Sequence, residues 1–179
     1  TTPCIFTPPT CIRKFKDQKV SGELLSGIVE TASYSPSWKH TQITRYIAVD
    51  GEKKEQIADS CAEMFANNGV IIKNAPVLMV LTYIKGRSGY ERDGSFTTSK
   101  GDRWQMFDAG IASQSFCLAA YEQGLGSVIL GIFDDAKVAS ILEIPENQEV
   151  AALIAVGYPD EEPAAPKRKP VADLLSFIH

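Results

Sequence analysis

The sequence predicts a layered α/β domain in which helices pack against a central β-sheet. Short segments rich in β-branched and aromatic residues alternate along the chain with longer segments whose apolar residues recur at helical spacing. The length of 179 residues suits one domain with its own core, so we treat residues 1–179 as a single unit. Alternating strands and helices build layered architectures, but the order and direction of the strands do not follow from one sequence.

The composition argues against nucleic acid and membranes as partners. Apolar residues make up 44% and charged residues 22% of the chain, close to the averages of soluble globular proteins. The net charge of −4 repels a phosphate backbone over most of the surface. The longest apolar stretch, residues 75–84, reaches only half of the roughly 20 residues that a membrane-spanning helix needs. We therefore expect neither partner.

The four cysteines predict free thiols rather than a metal site. Cys4, Cys11, Cys61 and Cys117 are widely spaced and form no Cys-x-x-Cys pair, which argues against zinc ribbons and thioredoxin-like motifs. Reduced thiols are typical of the cytoplasm, where disulfides are rare. We therefore expect a cytoplasmic protein without a bound metal ion.

The first part of the chain is predicted to run from helix through loop to strand. Ser21 precedes an amphipathic pattern that ends near Ala32, which predicts a capped helix. Residues 33–42 lack either periodicity and are rich in turn formers and side-chain donors, so they predict a loop. Residues 45–49 predict a short strand, and residues 53–65 predict a helix with its apolar residues at helical spacing.

The middle of the chain is predicted to hold an interior strand and a long helix. The mostly apolar residues 75–84 are typical of a strand that is covered on both faces. Residues 85–101 contain four glycines among polar residues, and we expect a mobile excursion there. Residues 102–124 predict a long helix whose many small residues permit close approach of another helix.

The last part of the chain is predicted to complete the sheet and then leave the domain. Residues 128–130 and 150–156 predict strands, with a short helix over residues 135–142 between them. Residues 160–179 begin with a polar, proline-rich run, which predicts an extended arm able to reach across a partner, and residues 171–178 predict a short terminal element that docks.

Several short motifs, spread in order over nearly the whole chain, form a set. They are Ile12-Arg13-Lys14-Phe15, Ser35-Pro36-Ser37-Trp38-Lys39-His40-Thr41-Gln42, Asp108-Ala109-Gly110-Ile111-Ala112, Gly124-Leu125-Gly126-Ser127, Gly131, Ile144-Pro145-Glu146, Val156-Gly157-Tyr158-Pro159 and Arg168-Lys169-Pro170. In order and spacing this set resembles the FMN-dependent nitroreductase family. The resemblance implies a three-layer α+β sandwich with a mixed central sheet flanked by helices. It also implies an obligate homodimer that binds FMN at the subunit interface.

The chain departs from the family pattern at two places. Pro8-Pro9-Thr10-Cys11 stands where the family usually has an Arg-Arg-Ser or similar run that holds the flavin phosphate and ribityl chain. His40 stands where asparagine is commoner, and an imidazole still donates or accepts one hydrogen bond. One phosphate-binding cation is therefore missing from the amino end.

The resemblance assigns the flavin contacts to residues from four separate segments. They are Arg13, Ser35, Pro36, Ser37, His40, Gln42, Leu130, Gly131, Lys167 and Arg168. Arg13 would lie against the pyrimidine end of the ring, where a guanidinium stabilises the reduced form most. Arg168, assisted by Lys167, would bind the phosphate, unless this basic run is only a solvated tail.

The remaining assignments concern hydrogen bonds and the substrate side. Polar side chains of residues 35–42 would bind the ribityl hydroxyls and the ring edge, while Gly131 would place a backbone N–H near flavin N5. Tyr90 and Phe96 would cover the flavin and stack on flat substrates, or lie on the surface. Asp108, in a nearly apolar helix, predicts a structural hydrogen bond, and Trp38 predicts an anchor for the loop.

The leading hypothesis is a two-step exchange of hydride on FMN. NAD(P)H would reduce the flavin and leave, after which a flat acceptor such as a nitroaromatic or a quinone would occupy the same cavity, giving ping-pong kinetics. Two alternatives stay open. One is a flavin-binding or degenerate dimeric module without turnover, and the other is a specialised flavin reaction on the same fold.

Overall fold

The computed structural model describes residues 11–178. Its helices are α1 (Gly22–Ser33), α2 (Gly51–Met64), α3 (Ala66–Asn74), α4 (Arg103–Glu122) and α5 (Asp135–Leu142). Its strands are β1 (Thr44–Val49), β2 (Val77–Ile84), β3 (Gly126–Leu130) and β4 (Gln148–Gly157), and 3-10 turns lie at Trp38–His40 and Val171–Asp173. None of these helices combines the length and apolar character that crossing a membrane requires. Cys4 and the Pro8-Pro9-Thr10 part of the departing run lie outside the described residues.

The sheet has the strand order β1-β2-β4-β3, with β1 and β3 at its two edges. Every pair of neighbours among these four strands is antiparallel, which corrects the expectation of a mixed sheet. The reason lies in the connections. Because α2 and α3 pack on each other as a helical pair, the chain returns to the end of the sheet where β1 stops, and β2 runs back beside it.

Helices cover both faces of the sheet, so the predicted three-layer α+β sandwich is confirmed. On one face, α1 and α4 enclose a core that contains Ile28 and Met79. On the other face, α2, α3 and α5 enclose a core that contains Ile72 and Leu78. Leu78 and Met79 are neighbours on β2 and point to opposite faces, as a pleated strand requires. The predicted interior strand is therefore β2, which is buried from Val77 to Tyr83.

Most elements predicted from periodicity are present, with ends shifted by a few residues. The Ser21 Oγ accepts a hydrogen bond from the Leu24 N–H at 3.1 Å, which confirms the predicted cap of α1. The long helix predicted over residues 102–124 is α4, and the short helix predicted over residues 135–142 is α5. The strands predicted on either side of α5 and after the loop lie within β3, β4 and β1.

Helix α3 is not among the predicted elements, because its sequence holds three asparagines and a glycine that disfavour a helix in isolation. Tertiary packing explains it. A Cβ atom at Gly69 would lie 2.7 Å from both the Ala58 carbonyl oxygen and the Ala62 Cβ, so only glycine lets α3 approach α2 this closely. The chain breaks between the two helices at Phe65, whose backbone is extended and whose ring is partly exposed.

Residues 85–101 form an ordered turn, which corrects the expectation of a mobile excursion. Ser88 is fully buried, and the Thr97 N–H donates to the Gly89 carbonyl at 2.9 Å. The buried Ser88 side chain, which bonds to Asp108, and the Gly86 N–H, which bonds to Gln105, hold this segment against α4. The glycine count suggested mobility, but the glycines serve the tight turns, as the left-handed φ of +90° at Gly89 shows.

The carboxy-terminal arm, residues 160–178, is extended as predicted, apart from its one 3-10 turn. The single chain leaves several apolar side chains of its last residues exposed, so their docking on a partner stays a prediction. Val171 and Leu174 are 70% and 69% exposed, and Ile178 is 96% exposed. Within residues 11–178, no part of the chain covers these three side chains.

Candidate functional site

A cavity of about 700 Å³ opens between α1, β1 and the loop of residues 35–42, which we call the cavity loop. Four of the predicted flavin-binding residues line it, namely Ser35, Pro36, Ser37 and Gln42. The rest of the lining combines apolar side chains, such as Val29, Tyr46 and Met79, with the charged side chains of Glu30 and Arg45. Apolar lining with a few polar groups is the usual form of a site for a flat organic ligand.

The backbone of the cavity loop is strained. Lys39, His40 and Gln42 have φ angles of +43°, +58° and +48°, in the left-handed region that residues with a Cβ atom avoid. Each such residue costs about 1–2 kcal/mol. Strain of this kind clusters at ligand sites, and it persists only where surrounding contacts enforce it.

Buried hydrogen bonds enforce the loop geometry. The backbone N–H of Trp38 donates to both carboxylate oxygens of Asp108, each at 3.1 Å, and the Ser88 hydroxyl donates to the same carboxylate at 2.5 Å. The Thr41 and Ser88 hydroxyl oxygens lie 2.6 Å apart. The structural hydrogen bond predicted for Asp108 is therefore confirmed. Sequence reasoning missed Ser88 and Thr41, because nothing local distinguishes them from other loop hydroxyls.

The polar side chains of the loop also bind one another. The Gln42 N–H donates to the Ser37 Oγ at 3.0 Å, and the Gln42 amide donates to His40 Nε2. His40 Nδ1 then carries the ring proton and remains a donor. Arg45, which the sequence analysis missed, donates to the Gln42 carbonyl at 2.8 Å and lines the cavity. The position of Arg45, at the start of a strand directly after the loop, is the sequence feature that could have identified it as a site residue.

Trp38 anchors the loop, as predicted, through aromatic contact. Its ring centroid lies 4.5 Å from that of Trp104 on α4, and Trp104 in turn meets Phe107 edge-on at 5.3 Å. The Trp38 indole N–H is buried and has no hydrogen-bond partner within residues 11–178. Lys39 forms an ion pair with Glu91 at 2.7 Å, which lowers the pKa of that carboxyl and ties the loop to the turn of residues 85–101.

Arg13 lies far from this cavity, on residues 11–16, which we call the amino segment. The segment pairs with the chain after β4: the Lys16 N–H donates to the Tyr158 carbonyl at 2.9 Å, and the Asp160 N–H donates to the Lys14 carbonyl at 3.0 Å. The Arg13 side chain is exposed and forms no hydrogen bond or ion pair in the described part of the chain. Its charge is thus available to a ligand.

The predicted phosphate-binding residues lie on the arm, which begins beside the amino segment. The Glu161 carboxylate accepts the backbone N–H groups of Arg13 and Lys14. Farther along, Lys167 and Arg168 are exposed, and Arg168 bonds only to the carbonyl of Pro166, at 3.3 Å. No carboxylate among residues 11–178 pairs with either cation. The arm therefore starts beside the amino segment, and both carry cations that no carboxylate within residues 11–178 neutralises.

Leu130 and Gly131 lie at the edge strand β3. Leu130 is buried in the core, whereas Gly131 follows the strand and is exposed. A Cβ atom at Gly131 would meet nothing within 4 Å, so packing within the chain does not demand glycine there. The Asn68 amide, which sequence reasoning missed, donates to the Ile132 carbonyl at 3.0 Å and holds the turn against α3.

Tyr90 and Phe96 contact each other instead of the cavity. Their ring centroids are 4.9 Å apart, and Phe96 also packs against Gly101. Phe96 is largely exposed, and neither ring lines the cavity. The structure therefore brings neither of the predicted substrate residues to the cavity within one chain.

The predicted site residues thus form two groups at opposite edges of the sheet. The cavity loop enters β1 at Thr44, which pairs with Tyr83, whereas the amino segment lies beside Gly126 at the start of β3. Three strand spacings, about 14 Å, separate the two edges, and the two positions also lie at opposite ends of strands that are about 17–34 Å long. One chain does not bring both groups onto one ligand.

Comparisons with known proteins agree with the fold and the motifs. The sequence profile of the nitroreductase family matches residues 10–158. An NADPH-dependent oxidoreductase of Staphylococcus haemolyticus is 30% identical over 178 residues, which cover 94% of this chain and 67% of that protein. The structure of an FMN-dependent nitroreductase from Clostridium difficile is 30% identical, with a TM-score of 0.73 over 91% of this chain and 90% of that chain.

A second solved structure extends the agreement in fold. The structure of a nitroreductase family protein from Streptococcus pneumoniae has a TM-score of 0.82, although it is only 22% identical, and the match covers 94% of this chain and 96% of that one. The sequence profile spans most of the chain, including the amino segment, the cavity loop and the long helix α4. This chain belongs to the nitroreductase family.

Proposed function

We propose that this protein is an FMN-dependent oxidoreductase that takes hydride from NAD(P)H and passes it to a flat acceptor, such as a nitroaromatic or a quinone, by a ping-pong mechanism. The strained, hydrogen-bonded loop on the rim of the 700 Å³ cavity is the observation that carries this proposal. Family membership supports it, as do the names of two relatives, one NADPH-dependent and one FMN-dependent.

The chemistry of the described residues fits FMN. A flavin mononucleotide has a flat ring with polar edges, a hydroxylated chain and a phosphate. Ser37 and Gln42 supply polar groups at the cavity, and the apolar part of its lining suits a ring face. The guanidinium groups of Arg13 and Arg168 form no ion pair within the described range, so they suit the ring edge and the phosphate.

Bound FMN supplies the hydride chemistry, and the protein residues hold and tune it. The Arg13 guanidinium would lie against N1 and the C2 carbonyl, where it stabilises the negative charge of the reduced state. The backbone N–H of Gly131 would donate toward N5, where the exposed position after Leu130 leaves room for a ring edge. His40 would offer its Nδ1–H to a ribityl hydroxyl or the ring edge.

A second copy of the chain would complete this site. Because the cavity loop and the amino segment lie at opposite sheet edges, we propose a homodimer in which the loop of one protomer faces the Arg13 edge of its partner. Exposed apolar side chains support an interface: Met106 and Phe107 on α4 are half-exposed, and Val171 and Leu174 protrude from the arm. Burial of such side chains is a usual driving force for dimers.

We further propose that residues 1–179 form one FMN-binding domain with its arm, located in the cytoplasm. The free thiols of Cys11, Cys61 and Cys117 are consistent with a reducing compartment. The proposal includes neither nucleic acid nor membrane as a partner. Tyr90 and Phe96 are proposed to contact the acceptor only in the dimer, since they do not reach the cavity of their own chain.

The departing run Pro8-Pro9-Thr10-Cys11 favours one alternative, a dimeric flavin-binding module without turnover. Anaerobic absorbance spectra of the purified protein, before and after FMN and then NADPH or NADH, distinguish the two. The oxidoreductase is expected to take up FMN, turn yellow and bleach with reductant. A protein that stays colourless after FMN titration contradicts both proposals. Uptake of FMN without bleaching supports the module, and steady consumption of NAD(P)H with a quinone excludes it.

A further inference from the structure

Asp108 is a buried carboxylate with no cation beside it. It lies on α4, is 3% exposed and forms no ion pair within residues 11–178. Burial of an unpaired charge is unfavourable unless hydrogen-bond donors surround it. Here the donors are the backbone N–H of Trp38, in the cavity loop, and the hydroxyl of Ser88, in residues 85–101. The carboxylate thus joins three segments of the chain.

The chemistry of the carboxylate sets the direction of these hydrogen bonds. An ionised Asp108 only accepts, so the fully buried Ser88 hydroxyl donates its proton to it. The Ser88 oxygen is then free to accept, and the Thr41 hydroxyl, 2.6 Å away, donates to it. The result is a directed chain from Thr41 through Ser88 to Asp108.

This chain of hydrogen bonds brackets the strained part of the cavity loop. Trp38 and Thr41 are both tied to Asp108, and Lys39 and His40, with left-handed backbones, lie between them. Gln42, the third left-handed residue, follows directly and lines the cavity. Without these two ties, the loop would keep the Trp38–Trp104 ring contact and the Lys39–Glu91 ion pair, but no hydrogen bond to Asp108 or Ser88 would hold it away from the right-handed conformation that its residues prefer.

We propose that Asp108 is a positioning residue for the cofactor site: it holds the cavity loop in its left-handed shape and thereby presents Ser37, His40 and Gln42 to the ligand. The consequence for the cofactor rests on the proposed function, whereas the effect on loop shape does not. A carboxylate suits this task better than an amide, because hydrogen bonds to a charged acceptor are roughly twice as strong as those between neutral groups.

The test compares Asp108→Asn, Ser88→Ala and Thr41→Val with the control Ser113→Ala. Asp108→Asn keeps the size of the side chain but replaces one carboxylate oxygen with an NH2 donor, which must face either Ser88 or the Trp38 backbone N–H, so one of these two hydrogen bonds is lost or reversed. Ser88→Ala and Thr41→Val each remove a single hydroxyl, which is a smaller change. They allow the test to be made if Asp108→Asn does not fold. Ser113 is a buried serine on the same helix whose hydroxyl binds only the Ala109 carbonyl, so its removal leaves the loop intact.

Two measurements read the outcome. Hydrogen exchange follows the amides of His40, Thr41 and Gln42, whose N–H groups bond only within the loop. Fluorescence titration gives the Kd for FMN. We expect the exchange rate of these amides and the Kd for FMN to rise about tenfold in Asp108→Asn and severalfold in Ser88→Ala and Thr41→Val. Both quantities should be unchanged in Ser113→Ala.

Each result decides the inference. Faster loop exchange in Asp108→Asn or Ser88→Ala, with exchange elsewhere on α4 unchanged, supports the positioning role. Wild-type exchange in both variants overturns it, even if they unfold at lower temperature, because a merely structural group lowers stability without releasing this loop. If the wild-type chain binds no FMN, the proposed function fails on its own, and the exchange data still decide the role of Asp108.

Discussion

The cavity loop and the amino segment differ in how far the chain satisfies their polar groups. In the loop, the Trp38 backbone N–H donates to the buried Asp108 carboxylate, Thr41 reaches the same carboxylate through the Ser88 hydroxyl, and the strained backbone is held in place. On the amino segment, the Arg13 guanidinium forms no such bond within the described residues. In the proposed dimer, one chain would thus prepare half of a site and leave the charges of the other half to a ligand and a second copy.

The largest expected effect concerns the unpaired charge of the amino segment. Arg13→Ala should raise the Kd for FMN roughly 100-fold, because a hydrogen bond to a charged group contributes about 1.5–3 kcal/mol. Fluorescence titration measures this change. Arg13→Lys should recover part of the affinity, since it keeps the charge but not the planar fork. Lys85→Ala, at an exposed lysine near the other end of the sheet, is the control. Equal Kd values for all variants would remove Arg13 from the site.

A second test compares thiols of the core with the thiol of the amino segment. Burial raises the pKa of Cys61 to about 11, from an ordinary value of 9.0, so its thiolate at pH 8 is about 100-fold scarcer than that of an ordinary thiol. Cys11 is exposed. Mass spectrometry after alkylation at pH 8 should find Cys11 modified first. Cys61 is fully buried, so its labelling requires the core to open and should stay slow as long as the protein is folded.

The same pKa shift predicts that the protein becomes less stable in alkali. The folded state keeps the Cys61 proton to a higher pH than the unfolded chain, so the stabilisation is complete below about pH 9 and is lost as pH rises toward 11. Burial raises the pKa of Tyr46 and Tyr83 in the same direction. Urea unfolding at pH 8 and pH 10.5 should show this loss, and a smaller loss in Cys61→Ala. A free energy of unfolding that is flat over this range contradicts the prediction.

A further prediction tests whether the arm carries the phosphate contact. Arg168→Ala should weaken FMN binding roughly 10- to 30-fold, through loss of a charge-assisted contact of about 1.5–2 kcal/mol. Binding of riboflavin, which lacks the phosphate, should not change. Lys169→Ala is the matched control on the next residue. Equal weakening for both flavins would mean that Arg168 acts on the arm as a whole instead of on the phosphate.

The smallest effect is expected at the exposed apolar end of the arm. Leu174 is 69% exposed in the single chain, so Leu174→Asp should leave the fold of the protomer intact and weaken the proposed dimer about tenfold. Light scattering across a dilution series measures this shift. Glu162→Ala, a polar position of the same arm, should not alter the oligomeric state. A wild-type protein that is monomeric at micromolar concentration contradicts the dimer itself.

Sequence reasoning succeeded where local chemistry decides the structure. The cap at Ser21, the turn-rich composition of residues 33–42 and the apolar run of β2 each predicted their element, because capping, turn chemistry and burial act over a few residues. It failed at α3, where close packing at Gly69 overrides poor helix formers, and at residues 85–101, where buried Ser88 orders a glycine-rich turn.

The candidate site shows the same division. By itself, the sequence determined that the chain is a nitroreductase-type α+β protein with a polar loop, an arginine near its start and a basic arm, since ordered motifs carry that information. Only the tertiary structure decided that the loop and Arg13 lie at opposite sheet edges, and that Asp108 reaches Trp38 and Ser88 across the fold. Strand order and contacts between distant residues depend on how the whole chain packs, which no local pattern of residues records.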